Sequence, residues 1–161
     1  MRKTMMRVGL GRDIHPLVPG RRFLLGGIEI PSDKGELGHS DADVLTHAVI
    51  DSLLGAAGLN DIGGLFPPQD PAWKDADSLM LLRRAYALVR DSGWQITNLD
   101  CVVIAETQKV LPYRDKICAS LAEVMGIKKE QVFVKGKTNE GLGPVGKGEA
   151  VEALAVCLLE K

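Results

Sequence analysis

Asp13 and His15 stand two residues apart, and His47 follows in a stretch of helical periodicity, so a carboxylate and two imidazoles are on offer to one divalent cation. Side chains alternate along a strand, which places Asp13 and His15 on the same face. A helix packed over that face would add His47 and leave one tetrahedral position open, as catalytic zinc sites require. Asp43 and Asp51 flank His47 at i−4 and i+4, where either can hold its free ring N–H. The same residues admit a plainer reading, because Asp-x-His is a common spacing and His47 can be a hydrogen-bonded core histidine.

His39 and Ser40 lie at the entrance to that helix, where unpaired backbone N–H groups attract a phosphate. Ser40 equally suits the helix N-cap, with Asp41 and Asp43 in the first turn. Residues 135–148, KGKTNEGLGPVGKG, combine cations, a hydroxyl, a carboxylate and many glycines. That composition fits a loop wrapping phosphates, with Glu140 on a Mg²⁺ that bridges them, and it also fits a solvated turn. Gly141 to Lys147 matches the start of a P-loop, but Gly148 stands where the magnesium-binding hydroxyl belongs, and too little chain follows to build the sheet.

The elements that must position these groups follow from pattern. Residues 5–14 and 22–30 read as strands separated by Pro16, Pro19 and Gly20, a hairpin-like start. Leu45, Ala48, Val49 and Leu53 recur at helical spacing in a helix starting after Ser40 and ending near 55–58. Residues 60–78 are dense in Gly, Pro and Asp and form a long irregular loop of the kind that carries function. A second helix runs from Asp77 or Ser78 to about Arg90, a strand over 94–105, and a third helix over 112–125 entered through Pro112. A short strand at 131–135 precedes the glycine-rich loop, and the final apolar segment is ambiguous between helix and strand. The result is a mixed α/β layer of the α+β type, helices covering one face of a sheet.

At 161 residues the chain suits a single domain, 1–161. Twenty basic and twenty-one acidic side chains leave a net charge of −1, which excludes a general field for nucleic acid or an anionic membrane. The N-terminus, MRKTMMRVGL, reaches glycine before a signal-peptide core can form, and Ala153 to Leu159 is far shorter than a membrane span. Cys101, Cys118 and Cys157 form no CxxC pair and read as buried thiols in a reducing cytoplasm.

Taken in order, GRDIH (11–15), HSDADVLTHAVIDSLLGAAGLNDIGGLFPPQD (39–70), ADS (76–78), IAETQKVLP (104–112) and KGKTNEGLGPVGKGE (135–149) resemble the 2-C-methyl-D-erythritol 2,4-cyclodiphosphate synthases of non-mevalonate isoprenoid biosynthesis. The resemblance spans nearly the whole chain. It implies an α+β subunit with a four-stranded sheet, helices on one face and a strand at the C-terminus. It also implies a homotrimer with the sheets around a central axis and active sites between neighbours. The implied enzyme is a CMP-forming phosphorus–oxygen lyase. It converts 4-diphosphocytidyl-2-C-methyl-D-erythritol 2-phosphate to the 2,4-cyclodiphosphate.

Matching positions imply roles. Asp13, His15 and His47 would hold Zn²⁺, Glu140 would hold Mg²⁺ or Mn²⁺ on the diphosphate, and His39 and Thr138 would stabilise the transition state. Ser40, Asp61, Ile62, Gly63, Phe66, Pro67, Pro68, Gln69 and Asp70 would meet the methylerythritol phosphate end, beside Asp13, His15 and His39. Ala105, Glu106, Thr107, Gln108, Lys109, Val110 and Leu111 would form a cytidine pocket from an adjacent subunit. Lys137, Thr138, Asn139, Glu140 and Lys147 would meet the phosphates. Several positions depart from the family pattern: Ala42 and Asn60 replace glycines, Pro68 and Gln69 replace Asp and Thr, and Lys137 and Asn139 replace threonines. Pro144 and Lys147 stand where Phe and Arg are common near the trimer's central cavity. A nucleotide-binding module without catalysis and a metal-dependent phosphate-ester hydrolase are the competing readings.

Overall fold

A computed structural model describes residues 4–161; Met1 to Lys3, part of the N-terminal segment read for a signal, lie outside the described residues. Strand β1 (Met6–Pro19) is the frame of the site, and the small strands β2 (Leu24–Leu25) and β3 (Ile28–Glu29) follow as a separate hairpin. Next come β4 (Lys34–Glu36), helices α1 (Val44–Ala57), α2 (Ile62–Leu65) and α3 (Ser78–Asp91), and strand β5 (Gln95–Ile104). Helix α4 (Arg114–Met125) then leads to β6 (Val132–Lys137), and β7 (Ala150–Glu160) closes the chain.

The sheet has five strands in the order β4-β1-β7-β5-β6, one more than the resemblance implies. The additional strand, β4, is three residues long, carries no β-forming pattern, and pairs only with the end of β1 at Leu17 to Pro19. Strand β7 is central, antiparallel to β1 and β5, so the ambiguous C-terminal segment is indeed a strand. Only β5 and β6 run parallel, joined through α4 as a crossover must be.

Two other expectations need correction. Residues 22–30 are not one strand, because Gly26 and Gly27 adopt positive φ and turn the chain back on itself. Residues 5–14 form part of a longer strand that runs through Pro16 and pairs with β7 and β4 rather than with 22–30. The cap of α1 is Asp43, which accepts the Thr46 N–H at 3.0 Å, and not Ser40. The irregular 60–78 loop contains the single-turn α2 and a tight turn at Pro71–Trp73, each started by an aspartate, Asp61 and Asp70 respectively.

Helix α1 is buried nearly all round, between the sheet and α3, which accounts for its apolar sequence. It lies so close to β1 that no side chain fits between them at two places. A Cβ at Gly9 would sit 1.9 Å from the Ser52 carbonyl oxygen, and one at Gly11 would sit 1.9 Å from that of Ala48. The next residues on the same face of β1 are Asp13 and His15. The missing side chains therefore set the distance from strand to helix just before Asp13 and His15.

Replacing Gly11 with Ala must push α1 outward, and should destabilise the fold by about 2 kcal/mol or more, the upper part of the range for overpacking. Gly55, also in α1, has no atom within 4 Å of the place a methyl group would occupy, so Gly55→Ala should stabilise by up to about 1 kcal/mol. Urea unfolding of both variants measures the contrast.

Candidate functional site

Asp13, His15 and His47 converge. The Asp13 Oδ2 lies 2.9 Å from His15 Nε2 and 3.1 Å from His47 Nδ1, and one ligand atom from each residue falls within 4.8 Å of the others. The two rings stand edge to face, with centroids 5.1 Å apart. Each imidazole is held from behind. His15 Nδ1 faces the Ala42 carbonyl at 2.7 Å and Glu36 Oε2 at 3.3 Å, while His47 Nε2 faces the hydroxyls of Ser78 at 2.9 Å and Ser40 at 3.0 Å. Two imidazole nitrogens, a carboxylate oxygen and fixed outer partners are a donor set suited to a divalent cation.

The expected outer partners of His47 are engaged elsewhere. Asp43 is fully buried and caps α1 while accepting from the N–H groups of Gly26 and Gly27. Asp51 accepts from Ile62 N at 2.7 Å and so anchors α2. Ser78, backed by Asp41, takes that place at His47, and Glu36 takes the corresponding one at His15. Sequence spacing along α1 cannot reveal them, since they come from β4, from the segment before α1 and from the start of α3.

Ala42 owes its role to its backbone. Its φ is +64°, and Asn60 is at +123°; these are two of the positions where the resembling family has glycine. The left-handed turn at Ala42 aims its carbonyl at His15, a conformation glycine adopts without strain.

Electrostatics follow from the burial. Desolvation pushes the Asp13 carboxyl up, yet hydrogen bonds and charge from His15 and His47 outweigh it and hold the group well below the usual carboxylate range. Burial likewise opposes charge on His15, but Asp13 and Glu36 raise it to about 10. Glu36, wholly inaccessible and with Oε1 unpaired, is raised by burial to about 8. In the metal-free protein, protons thus occupy the space between groups that a cation would otherwise bind.

A cavity of about 200 Å³ opens onto this centre, lined by His15 and His47 together with His39, Ser40, Ile62, Gly63, Phe66 and Pro68. Trp73 and Leu81, not foreseen, complete the wall, and the Trp73 ring meets Phe66 edge to face at 5.1 Å. Pro67, Gln69, Asp61 and Asp70 belong to the same loop but do not line the cavity; Asp61 and Asp70 commit carboxylate oxygens to Gly64 N and Ala72 N.

The remaining predicted residues form a second centre. Ala105, Gln108, Lys109, Val110, Leu111, Lys137 and Thr138 line a separate cavity of about 230 Å³, and Thr107 faces a neighbouring hollow with Gln108 and Lys109. Glu106 ties the two loops of this centre together, accepting from Asn139 N at 3.0 Å and Gly141 N at 3.2 Å. Glu140, at φ +52°, is exposed and accepts from the Thr138 hydroxyl at 2.6 Å. Lys147 is exposed beyond both cavities.

The two centres sit at the same end of the sheet, because Asp13, Ala153, Val103 and Gly136 are register partners across β1, β7, β5 and β6. Three inter-strand steps separate β1 from β6, roughly 14 Å at the usual spacing. Within one chain they do not meet.

The pattern that defines the YgbB family matches residues 6–160. The chain belongs to the YgbB family. Among its relatives, the 2-C-methyl-D-erythritol 2,4-cyclodiphosphate synthase of Treponema denticola is 53% identical over 96% of this chain and 96% of its own. That of Synechococcus sp. (strain JA-3-3Ab) is 59% identical over 96% and 98%. Of solved structures, a 2C-methyl-D-erythritol-2,4-cyclodiphosphate synthase in its CDP-bound form superposes with TM-score 0.87 at 40% identity, over 95% of this chain and 99% of that one. The bifunctional IspDF from Campylobacter jejuni superposes with TM-score 0.95 at 35% identity; the match covers 98% of this chain and 43% of that longer protein. This YgbB-family chain thus shares the α/β fold of those structures over almost its entire length.

Linkage gives the pH dependence of the metal-free protein. Folded His15 keeps its proton to about pH 10, against an ordinary 6.5, and Glu36 to about 8, against 4.5. The folded state therefore binds more protons than the unfolded chain across these windows, and stability must fall as pH rises. The His15 contribution is whole below pH 6.5 and gone above about 10. Thermal melting of metal-stripped protein should show a midpoint that declines from pH 6.5 to 10, whereas a level or rising midpoint would contradict the assignment.

Proposed function

We propose that this chain, acting as one domain, converts 4-diphosphocytidyl-2-C-methyl-D-erythritol 2-phosphate to 2-C-methyl-D-erythritol 2,4-cyclodiphosphate with release of CMP. The observation that carries the reading is the opening of the Asp13–His15–His47 centre onto the cavity of His39 and Ser40, in a chain 51–59% identical to synthases of that name. The 2-phosphate oxygen forms a bond to the β-phosphorus, and the bond from that phosphorus to the bridging oxygen breaks, leaving with CMP. A phosphate monoester, with its second pKa near 6, is already largely dianionic at neutral pH. No strong general base is needed, so the protein's task is alignment of an in-line displacement and neutralisation of charge.

Zn²⁺ fits Asp13, His15 and His47, since two imidazoles and a carboxylate leave one position for a phosphate oxygen. Glu140 would hold Mg²⁺ or Mn²⁺, hard cations that take oxygen donors. When bound, these ions supply a template and positive charge to the phosphates. His39 and Thr138 stabilise charge developing on the transferred group, Ser40 and the loop 61–70 hold the methylerythritol end, and the 105–111 loop holds cytidine, with Lys137, Asn139 and Lys147 toward the phosphates.

Two observations support a homotrimer with the site shared between neighbours. The first is the separation of the two centres within one chain. The second is the sheet face away from the helices, where Val8 and Leu10 of β1 are 69% and 65% exposed alongside Phe133 and Val156. Apolar side chains exposed together on one sheet face, among the ion pairs Arg12–Glu152 and Lys135–Asp100, are suited to burial against further copies. A cytoplasmic setting agrees with the three buried, unpaired thiols of Cys101, Cys118 and Cys157, and among the described residues no helix is long and apolar enough to cross a membrane.

Incubation with substrate and Mg²⁺ in ¹⁸O-water should yield CMP and cyclodiphosphate in equal amounts without label; failure to release CMP would reject the reading, and labelled product would favour hydrolysis. His47→Ala and Glu140→Ala should each be inactive. Co-refolded together they should regain part of the activity, because some sites then combine an intact metal centre with an intact diphosphate loop from the neighbour. Persistent inactivity of the mixture would place both centres' contributions within one chain.

A further inference from the structure

The buried hydroxyl of Ser78 lies between the His47 ring and a carboxylate that no part of the proposed reaction uses. Ser78 is completely inaccessible and its Oγ is 2.9 Å from His47 Nε2. The same hydroxyl contacts Asp41 Oδ1 in a short hydrogen bond, and Asp41 Oδ2 accepts the Ser78 backbone N–H at 3.0 Å. A carboxylate has only lone pairs to offer and serine has a single proton, which sets the direction of this chain. Ser78 must donate to Asp41. Toward His47 it presents only a lone pair.

We propose that Asp41 and Ser78 are positioning residues that orient His47 for the cation. With Nδ1 turned to the cation beside Asp13, the one proton left on the imidazole resides on Nε2, where Ser78 accepts it. The inference rests on the metal reading of Asp13, His15 and His47. It also bears on Ser40, whose Oγ is 3.0 Å from the same Nε2 and accepts Ala42 N at 3.2 Å. Because His47 donates, the Ser40 proton is not required by the ring and is available either to Ser78 Oγ at 3.5 Å or to the cavity that Ser40 lines.

The Asp41→Asn variant reverses this order. Its amide oxygen must turn to the Ser78 backbone N–H at 3.0 Å, giving up the longer 3.3 Å bond from Asp43 N, which leaves the amide NH₂ facing the Ser78 hydroxyl. The NH₂ then donates to Ser78 Oγ, and the serine proton is driven toward Nε2–H. Two donors would confront each other whenever the cation is bound.

The test is zinc affinity of the full chain, measured by chelator competition, alongside melting of the metal-stripped protein. Asp41→Asn and Ser78→Ala should each weaken zinc binding by about 10- to 100-fold, the usual effect of losing such an outer partner. Ser78→Thr, which keeps the hydroxyl, should bind as the parent does. In the Ser78→Ala background, Asp41→Asn should have no further effect, since Asp41 acts only through that hydroxyl. Parent-like zinc affinity in Asp41→Asn, or additive losses in the double variant, would overturn the proposal. His47→Ala separates the two levels: if it binds zinc like the parent the metal reading fails, and if it alone loses zinc only the Asp41–Ser78 arrangement fails.

Discussion

A helix can deliver an imidazole to a strand-borne carboxylate only if the strand leaves it room. Here Gly9 and Gly11 let the backbone of α1 rest directly on β1, and the next two inward positions are Asp13 and His15. One turn into α1, His47 then meets Asp13 Oδ2 at 3.1 Å. The close contact of strand with helix and the candidate site are thus one feature. Any loosening between strand and helix would move His47 away from Asp13.

Burial disfavours charge on Asp13, His15 and Glu36 alike, yet contacts among them overcome it at Asp13 and His15, and it prevails only at Glu36. The backbone is drawn into the same purpose: Ala42 holds a left-handed conformation in order to point a carbonyl at His15. Behind His47 the supports are hydroxyls from two separate segments, Ser40 before α1 and Ser78 at the head of α3. The second centre is looser, two exposed loops joined by Glu106. Its distance from the first makes sense if substrate is gripped between neighbouring copies, a metal-bearing face on one and a nucleotide-bearing face on the other.

Much of this was legible in the residues themselves. Strand alternation put Asp13 and His15 on one face, but that a helix carries His47 over that face was only one of two readings the pattern allowed, and the close contact of α1 with Gly9 and Gly11 is what realises it. Asp43 and Asp51 were misjudged because proximity along a helix does not say which neighbours compete for a carboxylate, and backbone N–H groups of Gly26, Gly27 and Ile62 won them. The strand β4 and the split of 22–30 into a hairpin depend on pairing and on glycine conformations that a hydrophobic pattern does not encode. Likewise, the family resemblance could nominate the 105–111 loop and Glu140, whose residue types are ordinary, but only the sheet register shows that they stand three strands away from Asp13, His15 and His47 in their own chain.

X-ray absorption at the zinc edge of the loaded protein tests the central claim most directly, since it counts ligands without reference to turnover. Two imidazole nitrogens at about 2.0–2.1 Å and one or two oxygens at about 2.0–2.2 Å are expected, with no sulfur. A sulfur shell near 2.3 Å, or a third imidazole contributed by nearby His39, would contradict the assignment of Asp13, His15 and His47 as the ligands.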